Sequence, residues 1–111
     1  MLPLTKVVQP TGILDSIKAE QLRQEISDLV QTKPTIILID LQDVTFINSA
    51  GLGGLVAVFK TVRATGGKLF LCSINDQLKQ VLELSKTNKI FRVFASQDEF
   101  YSQITAGDNR L

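Results

Sequence analysis

The stretch Thr35-Ile36-Ile37-Leu38-Ile39-Asp40-Leu41 restricts the possible folds of this chain more than any other. It is nearly all apolar, rich in β-branched side chains, and does not alternate with polar residues. A strand with one wet face alternates. A strand without alternation is covered on both faces, as a central strand of an α/β sheet is.

The flanking segments read as the helices and strands such a sheet needs. From Asp15, a favourable N-cap type, Ile17, Leu22, Ile26, Leu29 and Val30 recur at near-helical spacing, and Pro34 enforces a stop. Gly51 to Thr65 carries Leu52, Leu55, Val56, Phe59 and Val62 at three- and four-residue steps. Gly66-Gly67 follows and supplies the left-handed residue that closes many helices. Lys68-Leu69-Phe70-Leu71-Cys72 reads as the next strand, and strand, helix, strand in this order imply a right-handed crossover between parallel strands. Two short strands are expected at Val7-Val8 and Ile13-Leu14, around the turn Gln9-Pro10-Thr11-Gly12. Asn75 is suited to cap a third helix through Leu78, Val81, Leu82 and Leu84, and Ile90-Phe91-Arg92-Val93-Phe94 looks like a final strand. Ser96-Gln97-Asp98-Glu99 fits a capping box opening a last helix with Phe100, Tyr101 and Ile104. No repeat or linker divides residues 1–111, so one domain is expected, with a frayed tail over about 106–111.

Composition narrows the function. With 44% apolar and 21% charged residues, the chain is globular rather than disordered. Twelve bases against eleven acids leave a net charge of +1, which gives no general footprint for nucleic acid or an anionic membrane. Lys60, Arg63 and Lys68 read as a solvated face. A single cysteine excludes an internal disulfide, and the absence of histidine removes the commonest general base and metal ligand. The N-terminus lacks a signal-peptide pattern and no run of about 18 apolar residues occurs, so a cytoplasmic protein without direct membrane insertion is expected.

Enzyme templates fail in detail. Gly51-Leu52-Gly53-Gly54 invites a nucleotide-loop reading, but Val56 stands where a dinucleotide fingerprint needs glycine or alanine, and the glycines lie well beyond the strand. No Gly-Lys-Ser/Thr occurs. Ser49 has no conventional activating base, Cys72 sits in an expected strand as a small core residue, and Asp15, Asp40 and Asp43 have no metal-cage spacing. No catalytic residue, cofactor or metal is assigned.

What remains is the segment where the chain passes Val44-Thr45-Phe46-Ile47 and enters a helix at Asn48-Ser49. Its residues have a structural reading, since Asn and Ser are preferred N-caps and glycine allows close packing on a sheet. They also have a functional one. A phosphate on Ser49 would lie beside free backbone N–H groups at the positive end of a helix dipole. Asp15 likewise serves as an N-cap, a partner contact, or both.

These residues resemble the STAS domain of the anti-sigma factor antagonists. That family's pattern is a strand ending in Asp-Leu, then Val-x-Phe-(Ile/Met)-Asp-Ser-(Ser/Thr)-Gly-Leu-Gly; here Asp40-Leu41 leads to Val44-Thr45-Phe46-Ile47-Asn48-Ser49-Ala50-Gly51-Leu52-Gly53. Gly12-Ile13-Leu14-Asp15, Gly66-Gly67-Lys68-Leu69 and Val81-Leu82-Glu83-Leu84-Ser85 extend the likeness over most of the chain. The resemblance implies an α/β STAS fold, with about four helices around a mixed sheet of about four or five strands. It implies a non-enzymatic switch: unphosphorylated protein binds an anti-sigma factor that is also a serine kinase, phosphorylation at Ser49 releases it, and a metal-dependent serine phosphatase resets it. Asp15, Asn48, Ser49, Ala50, Gly51 and Leu52 are the implied partner surface. The fold alone equally suits an accessory STAS subunit of a transporter or a signalling scaffold. Asn48 replaces the family's usual Asp, which removes a charge but keeps a capping oxygen. Ala50 replaces a second hydroxyl, leaving Ser49 the single hydroxyl between Asn48 and Gly51.

Overall fold

The computed structural model describes residues 5–31 and 36–105. In chain order the elements are β1 (Thr5–Val8), β2 (Gly12–Leu14), α1 (Ser16–Val30), β3 (Ile36–Asp40), β4 (Val44–Ile47) and α2 (Ser49–Ala64). They continue with β5 (Lys68–Cys72), α3 (Asp76–Leu84), a 3-10 turn (Thr87–Lys89), β6 (Arg92–Phe94) and α4 (Gln97–Thr105).

Strand β3 lies inside a four-stranded sheet ordered β1-β3-β5-β6, and all five of its residues are buried. Each step from β1 to β6 moves the same way across the sheet, and right-handed crossovers then place the connecting helices on one face. Helices α1, α2 and α3 accordingly share one apolar layer, in which Leu22, Ile26, Leu55, Val58, Val62 and Leu82 meet Ile37, Ile39 and Leu71. After β6 the chain turns back and α4 covers the other face. There Phe70, Phe94 and Phe100 pack with centroids 5.2–5.8 Å apart, over Ile36, Leu38 and Cys72. Two covered faces are the reason β3 shows no alternation.

Several expectations are refined. The sheet implied to be mixed is parallel in every pairing among the described residues. The two N-terminal strands do not share a sheet: β1 joins β3, whereas β2 pairs with β4 in a separate two-stranded sheet. Ile17 is 69% exposed, and Ala19 takes its place on the buried face of α1. The final strand begins only at Arg92, because the 3-10 turn holds Phe91 N–H to Thr87 C=O and leaves Ile90 exposed. Half the capping box forms as expected, with Ser96 Oγ accepting from Glu99 N–H at 3.1 Å. The Glu99 carboxylate reaches past Ser96 to Ala95 N–H at 3.0 Å. Pro34, Thr35 and the expected frayed tail lie outside the described residues.

Local signals hold at helix α2. Gly66 adopts φ +84, and Gly66 N–H and Gly67 N–H donate to the carbonyls of Arg63 and Val62, the paired bonds of a left-handed helix terminus. Cys72 is fully buried, and its desolvation raises the thiol pKa. Asp40, the buried acid of the core, is satisfied by Gln97 Nε2 at 2.6 Å and Gln42 N–H at 2.9 Å. Among the described residues, no helix is long and apolar enough to cross a membrane.

Candidate functional site

Strand β2 runs into α1 and β4 runs into α2. Because β2 and β4 lie parallel, with Ile13 opposite Phe46 and Leu14 opposite Ile47, the two helix N-termini arrive side by side. Each is capped by a short polar side chain. Asp15 Oδ1 accepts from Lys18 N–H at 2.9 Å, and Asn48 Oδ1 accepts from Gly51 N–H at 2.8 Å. Asn48 N–H reaches across to Leu14 C=O at 3.3 Å, tying one helix start to the other.

Glycine makes this approach possible. A Cβ on Gly51 would fall 1.8 Å from the Leu14 carbonyl oxygen, and one on Gly54 would fall 2.3 Å from Ala19 Cβ. Gly51 thus lets α2 start against the end of β2, and Gly54 lets α1 and α2 pack closely. Gly53 meets nothing within 4 Å. Of Gly51 and Gly53, only Gly51 is required sterically.

Ser49 is the first residue of α2 and is exposed, as are Asn48 and Ala50, while Leu52 is half-buried and Gly51 buried. No acid occupies the first turn of α2, so no carboxylate within that turn opposes an added negative charge. The structure brings together Asn48, Ser49, Ala50, Gly51 and Leu52, and the contacts with Leu14 place half-buried Asp15 at their border. Asp40 and Asp43 are engaged separately, Asp40 with Gln97 and Asp43 with Gln9 Nε2 at 3.0 Å. Lys60 and Arg63 lie toward the far end of α2 and Lys68 beyond it, all three exposed.

Sequence reasoning missed the apolar rim. Ile13 is 55% exposed, Ile17 69% and Phe46 46%, and these flank the paired helix starts. Ile13 and Phe46 are register partners, so two large apolar side chains adjoin at this surface, as at a candidate contact site. Ile13 and Ile17 have the spacing of core residues. The exposure of Ile13 follows from the two-stranded sheet, which turns Leu14, Val44 and Ile47 inward, and that of Ile17 from its place on α1, whose buried face is Ala19, Leu22, Ile26 and Val30.

The chain belongs to the STAS domain family, whose model matches residues 2–100. Within it, the chain is related to anti-sigma factor antagonists, which are non-enzymatic regulators. It is 33% identical over 87 residues to the candidate anti-sigma factor antagonist BtrV of Bordetella bronchiseptica, covering 78% of this chain and 75% of BtrV. It is 30% identical over 83 residues to the anti-sigma-B factor antagonist of Listeria monocytogenes, covering 74% and 72%. A crystal structure of an anti-sigma factor antagonist from Mycobacterium paratuberculosis superposes with a TM-score of 0.75 at 26% identity, over 95% of this chain and 86% of that one. The fold is also that of unphosphorylated SpoIIAA (TM-score 0.70, 21% identity, 96% and 94% covered). Phosphorylated SpoIIAA of Bacillus gives 0.70 at 23%, with 94% of each chain covered. The murine anion transporter Slc26a9 gives 0.81 at 18%, over 96% of this chain and 18% of the transporter.

Proposed function

We propose that this protein is a cytoplasmic, phosphorylation-controlled antagonist of an anti-sigma factor. Unphosphorylated, it binds an anti-sigma factor that is also a serine kinase; phosphorylation of Ser49 ends that binding, and a metal-dependent serine phosphatase restores it. One observation carries the reading: Ser49 is an exposed first helical residue with no acid in its turn, set among exposed Ile13, Ile17 and Phe46. The antagonist half is supported by likeness to the candidate anti-sigma factor antagonist BtrV and the anti-sigma-B factor antagonist of Listeria monocytogenes. The transporter-subunit alternative rests on fold alone, since Slc26a9 is 18% identical.

The energetics locate the effect in binding. An anion at an exposed helix N-terminus is stabilised by about 0.3–1 kcal/mol, so the modified domain stays folded. A partner covering Ser49 must desolvate or exclude a dianion, and a cost of ~3–4 kcal/mol lowers affinity a few hundredfold. The test is incubation in an ATP-supplemented extract of the source cell, with the modified site mapped by mass spectrometry. Binding to the purified kinase is then compared for the two forms. Modification at Ser49 with binding lost is expected; equal affinity of the two folded forms would sink the mechanism.

A further inference from the structure

Strand β4 has two edges, and only one is covered by β2. Asn48 N–H donates toward β2, to Leu14 C=O, and successive amides along extended chain point to opposite sides, so the N–H and C=O of Ile47 face away from β2. Unpaired, they would be an orphan donor and acceptor in a part-buried position. A side chain from α3 pairs both. Gln77 Oε1 accepts from Ile47 N–H at 3.0 Å, and Gln77 Nε2 donates to Ile47 C=O at 3.0 Å. The amide reproduces the donor and acceptor pattern of a neighbouring strand in one residue. Nearby, Asn75 Nδ2 donates to the carbonyls of Val44 and Thr45 at 3.3 and 3.2 Å, while its Oδ1 caps α3 through Leu78 N–H at 2.9 Å.

Ile47 immediately precedes the cap Asn48 and lies two residues before Ser49. From this geometry we infer that Gln77 is a positioning residue for Ser49: its two-bond clamp on Ile47 fixes where the chain enters α2, and so makes α3 part of the switch. The functional half rests on the phosphorylation reading above; the structural half stands without it. The partner surface and a kinase both meet Ser49 through the backbone that this clamp immobilises. The clamp is side chain to main chain, so it can be removed without altering any of the residues assigned to the partner surface.

Gln77→Met keeps length and bulk but makes neither bond, and Gln77→Glu keeps the acceptor for Ile47 N–H while losing the donor to Ile47 C=O. In the isolated protein, amide hydrogen exchange in Gln77→Met is expected to quicken about tenfold or more at Ile47 and Gly51, with core amides of β3 unchanged. Gln77→Glu should keep Ile47 protected more than Gln77→Met does. In the ATP-supplemented extract, Gln77→Met should be phosphorylated at Ser49 about tenfold more slowly than the unsubstituted chain, with Gln77→Glu between them. Unchanged exchange at Gly51 together with unchanged backbone shifts at Ser49 overturns the inference, whatever the kinase does. Equal phosphorylation rates overturn its functional half. Should the unsubstituted chain itself not be modified at Ser49, the switch reading fails, and exchange at Gly51 alone decides the positioning role.

Discussion

Replacing Gly51 by alanine probes the joint between the two helix starts, and its outcome can be worked out from distances. The new Cβ would lie 1.8 Å from the oxygen and 2.6 Å from the carbon of the Leu14 carbonyl, and 3.2 Å from Ile47 Cγ1. The two closest atoms are backbone, so no rotamer change relieves them. Ordinary carbon contact begins near ~3.5 Å, so the start of α2 has to retreat by roughly 1.5 Å. The Asn48 N–H to Leu14 C=O bond, already 3.3 Å, does not survive a shift of that size. Overpacking costs about 1–3 kcal/mol and the lost bond about 1, offset by up to ~1 from the helix propensity of alanine, so the net loss is roughly 1–3 kcal/mol.

Gly53→Ala is the internal control. Nothing lies within 4 Å of its Cβ position, so only the propensity gain of up to ~1 kcal/mol remains. One substitution in one helix, two residues apart, should therefore change stability with opposite signs. Urea unfolding reads both, since the midpoint moves by the free-energy change divided by a slope of about 1–3 kcal/mol per molar. Two variants of equal stability would refute the argument that close approach to Leu14 demands glycine at 51.

Asn48→Asp keeps the capping oxygen and adds a charge at a helix start lacking acids, so it should stabilise by about 0.3–1 kcal/mol, whereas Asn48→Ala should cost about 1; thermal unfolding distinguishes them. Asp40→Ala leaves Gln97 and Gln42 N–H without their acceptor and should cost about 1–3 kcal/mol, read by denaturant unfolding with faster amide exchange at the start of α4. The Cys72 thiol is raised above its ordinary value of 9.0, chiefly by desolvation and against a lowering contact from Ser73. The unfolded chain therefore loses that proton first, and the contribution of Cys72 to stability falls as pH rises above 9.0; Cys72→Ala should remove this slope from the pH profile of unfolding.

The parts of the fold legible in the sequence are those set by neighbouring residues. The caps Asp15, Asn48 and Asn75 each accept from the N–H three residues on, a contact written within four residues of chain. The left-handed Gly66 is equally local. The β2–β4 sheet is different, because it joins segments about thirty residues apart through strands of three and four residues, too short to show a period. A register shift between Gly12 and Ile13 further separates the pairing from simple alternation. The Gln77 clamp is likewise invisible in sequence, since a glutamine in the first turn of a helix carries no sign of what its amide reaches.

If Ser49 is the proposed phosphorylation site, the same sheet accounts for how one phosphate would act there, and it yields a further test. Burying Ile13, Ile17 and Phe46, each about half exposed or more, contributes roughly 1 kcal/mol apiece, so the rim supplies about 3 kcal/mol to a partner complex. That is the size of the ~3–4 kcal/mol cost of covering a dianion, so one modification offsets the whole apolar contribution without disturbing the core. Phe46→Ser should accordingly weaken binding to the purified kinase about fivefold, corresponding to ~1 kcal/mol, while leaving the urea midpoint within the range of a surface change. Full affinity with a folded variant would place the contact elsewhere. A phosphate at Ser49 acts strongly only where the partner also dries its surroundings, and the exposed pair Ile13 and Phe46 belongs to the two strands that deliver the helix starts.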